Sequence, residues 1–285
     1  MPKAVATRPR NKRKPLLGQH FLADGAAAAH IVEALGDVSQ KTVLEIGPGR
    51  GVLTSLLAPR AGKLIAIELD RVLAAQLRMR FALRPNVEVI EADILAIDFD
   101  GLFGPKPGSS RPGLEFVPEP AHVVGNLPYF ITSDILLRLF AYRRYFDTMV
   151  LMVQREVAER LAAAPGGADY GLLSATTQLY TRVEKLFTLP PGAFAPAPKV
   201  HSAVVRLTVY SRLPALDVPE SGFIDFLKLS FGQKRKTLWN NLKAQYPAAV
   251  LRAALEKAGV AAEARAETLS LEKSAAVFRA LNHNL

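Results

Sequence analysis

The chain has 285 residues, of which 49% are hydrophobic, and it contains no cysteine. Its length suits one large domain or two, and the lack of cysteine excludes disulfide bonds and thiolate metal sites. Thirty-six Lys and Arg against 26 Asp and Glu give a formal net charge of +10, which favours a polyanionic partner such as nucleic acid.

Residues 1–15 are predicted to form a flexible basic arm, because six Lys or Arg lie between Lys3 and Lys14. This start has no apolar signal segment, and no later apolar run reaches the ~20 residues of a membrane helix. We therefore expect a cytoplasmic protein that makes no membrane contact.

Strand-like and helix-like segments alternate beyond the arm. Strands are predicted at 42–46, 63–68, 87–91, 121–125, 148–153 and 203–207, and helices at 25–35, 51–58, 71–81 and 133–142. Such alternation is typical of βαβ units on a mostly parallel sheet. Residues 100–120, rich in Gly, Pro and Ser, are predicted to be a loop insertion. Beyond Phe223 every periodic segment is helical, which predicts a domain at 16–211 followed by a small all-helical domain at 212–285.

A glycine-rich turn follows the first predicted strand of that alternation. Gly47, Gly49 and Gly51 form a Gly-x-Gly-x-Gly pattern in which bare backbone can approach a ligand. The dinucleotide fingerprint would need a small residue at position 52, and Val52 fails it. The pattern instead resembles the first motif of class I S-adenosylmethionine-dependent methyltransferases.

Carboxylates follow the next two predicted strands. Glu68 ends its strand 21 residues after Gly47, where it can accept hydrogen bonds from both ribose hydroxyls of a cofactor. Asp93, next to Ile94, follows the third strand and is placed to accept a hydrogen bond from the adenine amino group of the cofactor. Either acid alone could be a solvated loop residue, but three consecutive strand ends with suitable groups favour a cofactor site.

The tetrapeptide Asn126, Leu127, Pro128 and Tyr129 follows a further apolar run. The Asn126 amide oxygen and the Leu127 carbonyl can accept the two N–H bonds of an exocyclic amino group, and Tyr129 can stack on the base. An ordinary strand-to-helix turn is the competing interpretation, because Asn and Pro are common in turns.

The motifs in chain order resemble those of the ribosomal RNA adenine dimethyltransferase family, and its small-subunit branch in particular. The resemblance covers Gly18 to about Leu242, and its segments are GQHFL (18–22), EIGPGRG (45–51), EAD (91–93), GNLPY (125–129), QREVA (154–158), YGLLS (170–174), FAPAPKV (194–200) and FGQKRKTL (231–238). Three features depart from the family pattern, namely His20 in place of Asn, the 100–120 insertion, and Leu172 where a basic residue is usual.

The resemblance implies an α/β fold, with a Rossmann-like class I methyltransferase sheet and a small C-terminal all-α domain. It also implies S-adenosyl-L-methionine as the cofactor and dimethylation of N6 of two adjacent adenines near the 3′ end of 16S rRNA in the small ribosomal subunit. The predicted cofactor-binding residues are His20, Leu22, Gly47, Gly49, Gly51, Glu68, Asp93, Ile94 and Asn126. Phe194 is expected to cover the face of the target base opposite Tyr129. The competing interpretation is an aromatic side chain in the core.

Lys234, Arg235 and Lys236 form a second basic cluster, next to Trp239. We expect these residues to lie on a helix and to bind RNA phosphates, unless they are only a solvated helix face. The five histidines show no metal-ligand spacing, so no metal is expected. We expect a monomer.

Other functions use the same motifs. A DNA or large-subunit rRNA adenine N6-methyltransferase would contain the same tetrapeptide. A non-catalytic assembly or transcription factor could retain the fold and the RNA-binding surface. The presence of Glu68, Asp93 and Asn126 argues against lost catalysis.

Overall fold

The computed structural model describes residues 20–105 and 119–282, in which strands and helices alternate as expected. The strands are β1 (Phe21–Leu22), β2 (Thr42–Ile46), β3 (Lys63–Glu68), β4 (Val87–Glu91), β5 (Ala121–Asn126), β6 (Phe146–Gln154), β7 (Thr181–Leu189), β8 (Phe194–Ala195) and β9 (Ser202–Val209). The α-helices are α1 (Gly25–Glu33), α2 (Val52–Leu57), α3 (Arg71–Arg80), α4 (Phe99–Phe103), α5 (Thr132–Ala141), α6 (Arg155–Ala162), α7 (Leu172–Tyr180), α8 (Leu213–Leu216), α9 (Glu220–Ser230), α10 (Leu238–Leu242), α11 (Ala248–Lys257) and α12 (Leu271–Asn282). The predicted arm at 1–15 lies outside the described residues.

Seven strands form one sheet in the order β4-β3-β2-β5-β6-β9-β7. Strands β2 to β6 are parallel, whereas β9 runs antiparallel to both β6 and β7. The predicted Rossmann-like, mostly parallel sheet is confirmed. Strand β7 was not predicted, because this edge strand exposes charged residues such as Arg182, Glu184 and Lys185 and lacks a long apolar run.

The two faces of this sheet pack against separate apolar clusters. The strands read as apolar runs because they are covered on both sides. Val43 and Leu64 point to the cluster that contains α1 and α2, whereas Leu44 and Ile65 point to the cluster with α5 and α7. The second cluster continues into the C-terminal helices α9 to α12. The domain boundary near residue 212 therefore stays a prediction.

Side-chain caps fix the starts of several helices. Asp24 accepts a hydrogen bond from the backbone N–H of Ala27 at the start of α1. Asp98 likewise accepts one from Gly101 at the start of α4, and the helix buries Phe99. The predicted 100–120 loop is therefore wrong at its beginning, where α4 forms, and its residues 106–118 lie outside the described part.

The basic cluster lies in a turn, and the helix predicted there is wrong. Residues 231–237 connect α9 to α10. The N-cap of α10 is Thr237, whose side chain accepts a hydrogen bond from the N–H of Asn240. The Asn241 side chain donates to the Ser230 carbonyl over 2.7 Å and joins the two helices. Lys234, the first residue of the cluster, and its two basic neighbours are exposed in this turn.

None of the helices within residues 20–105 and 119–282 combines the length and apolar character that a membrane crossing would need.

Candidate active site

A cavity of about 390 Å³ opens at the carboxyl ends of β2 to β5. The chain leaves β2 toward β3 and β4 on one side and returns to β5 on the other. Ligands of open α/β sheets bind at such a switch point. Of the predicted site residues, the cavity wall contains His20, Gly47, Gly49, Glu68, Asp93, Ile94, Asn126, Leu127, Pro128 and Tyr129.

The glycine turn brings bare backbone to the cavity. Gly47, Gly49 and Gly51 have φ values of 65°, 56° and 76°, in the left-handed region that favours glycine. A β-carbon on Gly49 would lie 2.8 Å from the ring of Phe21, which also lines the cavity. The Arg50 guanidinium lies 4.7 Å from the centre of the same ring. Side chains are thus excluded where a ligand must approach closely.

Glu68 ties the end of β3 to this turn. Its side chain is only 4% exposed, and its two carboxylate oxygens accept hydrogen bonds from the N–H groups of Gly49 and Asp70, each over 2.9 Å. Because a carboxylate oxygen can accept more than one hydrogen bond, Glu68 retains capacity for ribose hydroxyls.

Asp93 and Ile94 form the part of the wall that follows β4. Asp93 is exposed, and one of its oxygens accepts from the N–H of Leu95 over 2.9 Å. Ile94 is 7% exposed and packs into the core beside the cavity. An acceptor next to an apolar side chain is suited to an adenine ring with its exocyclic amine.

Asn126, the last residue of β5, has a defined amide orientation. Its side-chain amide lies 2.7 Å from the main-chain carbonyl oxygen of His20. A carbonyl oxygen can only accept, so the amide atom facing it must be Nδ2. Oδ1 therefore remains an acceptor at the cavity wall.

The turn after Asn126 is held by its own backbone. The Leu127 N–H donates to the Met152 carbonyl over 3.0 Å. The Pro128 carbonyl accepts from the Ile131 N–H over 3.2 Å and from the Thr132 hydroxyl over 3.0 Å. The Pro128 carbonyl is thus used inside the turn, whereas the Leu127 carbonyl receives no hydrogen bond from the described residues.

Tyr129 is fixed at its hydroxyl and covered on one side. The hydroxyl lies 2.6 Å from that of Ser202, and burial raises the pKa of Tyr129. The His20 ring stacks on Tyr129 with 5.7 Å between ring centres and 29° between planes. His20 Nδ1 donates to the Pro196 carbonyl over 2.8 Å. The side chain of His20 therefore contacts Tyr129 and the 194–200 motif as well as lining the cavity.

Phe194, Leu22 and Gly51 are not in the cavity wall. Phe194 and Leu22 are 4% and 6% exposed and face each other in the antiparallel pair of β1 and β8. Phe194 thus packs in the core against β1 in this structure, and its predicted contact with the target base stays a prediction. Gly51 is the N-cap of α2, directly before Val52, and its N–H donates to the Pro48 carbonyl over 2.8 Å.

Sequence reasoning missed other residues of the wall. Phe21, Leu69, Asp70 and Phe130 all line the cavity. Phe21, Leu69 and Phe130 each directly adjoin a predicted site residue, and Asp70 lies two positions after Glu68, so proximity in sequence was the available indication. Phe130 stands out because its side chain is 57% exposed.

The basic cluster lies outside this wall. Lys234 donates to the Ala168 carbonyl over 3.0 Å, and the exposed Arg235 and Lys236 continue the same turn. In residues 20–105 and 119–282, no three His, Asp or Glu side chains form a group that could hold a metal ion. Both the RNA contact and the lack of a metal stay predictions.

Comparison with known proteins decides the family. The profile of the family described as "Ribosomal RNA adenine dimethylase" matches residues 10–283. The chain belongs to this family. Ribosomal RNA small subunit methyltransferase A of Koribacter versatilis is 55% identical over 284 residues, covering 99% of both chains. The enzyme of the same name from Geobacter sulfurreducens is 40% identical and covers 95% of both.

Solved structures agree with this membership in the rRNA adenine dimethylase family. A dimethyladenosine transferase from Plasmodium falciparum has a TM-score of 0.73 and 26% identity, and the match covers 93% of this chain and 98% of that one. The 23S rRNA methyltransferase ErmE has a TM-score of 0.65 and 28% identity over 92% and 99% of the two chains. The chain is therefore a dimethylase of the class I fold, with S-adenosyl-L-methionine as methyl donor.

Proposed function

We propose that this dimethylase transfers two methyl groups to N6 of each of two adjacent adenines near the 3′ end of 16S rRNA, during assembly of the small ribosomal subunit. The printed names of the similar proteins support the small-subunit substrate. The single observation that best supports the reaction is the oriented Asn126 amide beside Tyr129.

The residues at the switch point fit the cofactor. Gly47 and Gly49 would let its methionine part approach the backbone, and Glu68 would accept hydrogen bonds from its ribose hydroxyls. Asp93 would accept from its adenine amine, with Ile94 against the ring. When bound, S-adenosyl-L-methionine supplies a methyl group activated by a sulfonium.

The tetrapeptide would direct the lone pair of the target amine. The N6 lone pair of adenine is delocalised into the ring, so the free amine is a weak nucleophile. Asn126 Oδ1 and the Leu127 carbonyl would accept its two N–H bonds and favour a pyramidal nitrogen. Tyr129, held by Ser202, would stack on the base after it leaves its loop.

Proton removal needs no strong base in this scheme. The nitrogen, directed by Asn126 Oδ1 and the Leu127 carbonyl, would form the new bond to the methyl carbon and displace the sulfur of the bound cofactor. The methylated nitrogen is then cationic and acidic, and it loses a proton to water. After the first transfer one N–H remains, so Asn126 and the Leu127 carbonyl can direct only one hydrogen in the second.

The exposed turn with Lys234, Arg235 and Lys236 would hold phosphates of the structured RNA. We infer a monomer that acts in the cytoplasm, where small subunits are assembled.

The likeness to ErmE leaves one rival substrate, the large-subunit rRNA. Incubating the enzyme with labelled S-adenosyl-L-methionine and under-methylated small subunits, with large subunits in parallel, tests the proposal. The expected product is dimethyladenine at two adjacent positions near the 3′ end of the small-subunit RNA. Label confined to large subunits would refute it.

A further inference from the structure

Phe130 is an exposed aromatic side chain at the edge of the active cavity. It is 57% exposed and lines the cavity together with Tyr129. Within the described residues, its ring stacks on no other ring and lies under no guanidinium. This exposed apolar surface is available to a ligand, and its burial by a stacked base would be favourable.

The backbone around Phe130 is fixed although the ring is free. The Pro128 carbonyl accepts hydrogen bonds from Ile131 and Thr132, which close the turn on both sides of Phe130. Thr132 then begins α5, whose inner residues are buried. The aromatic ring is thus presented from a rigid support, which reduces the entropy lost when a partner stacks on it.

The proposed substrate brings a second base to this place. The two target adenines are adjacent, so a neighbouring nucleotide lies one step away whenever either adenine occupies the cavity. Phe130 lines the same cavity as Tyr129, and the single phosphodiester linkage between adjacent nucleotides keeps the neighbouring base close to the target. Tyr129 and Phe130 can therefore stack on two neighbouring bases.

We propose that Phe130 is a stacking site for the base of the nucleotide next to the target adenine. This inference rests on the proposed function and extends it, because Tyr129 would hold the reacting base while Phe130 holds its neighbour. Stacking on an aromatic side chain is indifferent to base identity. The site would therefore accept the unmethylated or the methylated neighbour alike, and either target could react first.

Single-turnover methylation at saturating S-adenosyl-L-methionine tests this site. The substrates are under-methylated small subunits assembled with a synthetic 3′ RNA segment. One form is intact, and two forms retain one target adenine and have an abasic nucleotide immediately 5′ or 3′ of it. The enzymes are wild type, Phe130→Ala, Phe130→Leu and Phe130→Tyr. Leu83→Ala is the matched control, because Leu83 is 96% exposed and outside the cavity wall.

We expect Phe130→Ala to lower the rate at limiting subunit concentration about tenfold on intact subunits, in line with the loss of one stacked base. Phe130→Leu should lose nearly as much, whereas Phe130→Tyr and Leu83→Ala should stay within twofold of wild type. For one of the two abasic substrates, the wild-type enzyme should show the same tenfold loss of rate. Phe130→Ala should lose no further rate on that substrate, because the stacked base is already missing.

The proposal would be overturned if, on both abasic substrates, the loss from Phe130→Ala multiplied the loss from the missing base. An unchanged rate for Phe130→Ala on intact subunits would overturn it as well. A tenfold loss of cofactor affinity in that variant, measured by calorimetry, would assign Phe130 to the cofactor and overturn it too. Failure of the proposed function gives a different result, since wild type would then not methylate intact small subunits at all.

Discussion

The side-chain amide of Asn126 donates to the main-chain carbonyl of His20 over 2.7 Å. This bond joins the end of β5 to the segment before β1 and fixes which amide atom remains free to accept. Because the bond uses the backbone of His20, it does not depend on the side chain at that position. The departure from the family's Asn at position 20 therefore leaves the orientation of Asn126 intact.

Asn126→Asp tests the need for the donor. The carboxylate keeps acceptor oxygens but cannot donate to the His20 carbonyl, and two acceptors facing each other repel. We expect single-turnover methylation to fall at least a hundredfold, although the variant retains an acceptor for the target amine. Methylation near the wild-type rate would show that the bond to His20 has no role in orienting the acceptor.

Glu68→Ala should weaken S-adenosyl-L-methionine binding at least tenfold, equivalent to ~1.4 kcal/mol. The change removes the expected ribose acceptor and also the contacts to Gly49 and Asp70. Glu68→Gln keeps the shape and one acceptor oxygen but places a donor NH2 where the second oxygen accepts from Gly49 or Asp70, so it tests whether both acceptor oxygens are needed. Calorimetry on both folded variants gives the answer, and wild-type affinity in Glu68→Ala would refute the assignment.

The basic turn should set the salt dependence of subunit binding. Replacing Lys234, Arg235 and Lys236 by Ala removes up to three phosphate contacts, and each lowers the salt slope by roughly one. Affinity for small subunits, measured at several salt concentrations, should fall and depend less on salt, while cofactor affinity stays unchanged. A slope equal to that of wild type would mean that the RNA does not contact this turn.

Glu45 should make stability pH-dependent. The residue is 1% exposed, and burial raises its pKa to about 7, with Thr54 partly offsetting and the charge of Glu68 adding to the effect. The folded chain thus keeps a proton that the unfolded chain loses near pH 4.5. Stability contributed by this group is therefore lost as the pH rises from about 4.5 to 7.

Glu45→Gln removes this titration. One pKa unit corresponds to ~1.4 kcal/mol. Between pH 4.5 and pH 7, the free energy of unfolding of wild type should therefore fall by at most about 3 kcal/mol relative to that of Glu45→Gln. Urea unfolding at pH 5 and pH 8 measures the difference. Parallel pH profiles for the two proteins would contradict the protonated state.

Local sequence was sufficient for the strands that form the centre of the sheet and for most of the cavity wall. Apolar runs such as Leu64 to Ile67 are buried on both faces, and the groups that follow each strand meet at one edge. A parallel sheet brings its carboxyl ends together whatever the loop lengths are. Glu68, Asp93 and Asn126 could therefore be assigned to one site before the structure was known.

Pairing between distant segments could not be predicted in this way. Phe194 is buried because β8 pairs with β1 from the other end of the domain, and nothing local to FAPAPKV specifies that partner. The helix expected at Lys234 fails because α9 ends at Ser230 and α10 starts after Thr237. In both cases tertiary contacts, rather than periodicity, determine the local structure.

The most direct test of the central claim is single-turnover methylation of under-methylated small subunits by Asn126→Ala, alongside its affinity for S-adenosyl-L-methionine. We predict that cofactor affinity stays within about threefold, while the rate of N6 methylation falls by two or more orders of magnitude, because the acceptor acts on the target amine in the transition state. A wild-type methylation rate in this folded variant would contradict the assignment of Asn126 as the residue that directs the adenine amine.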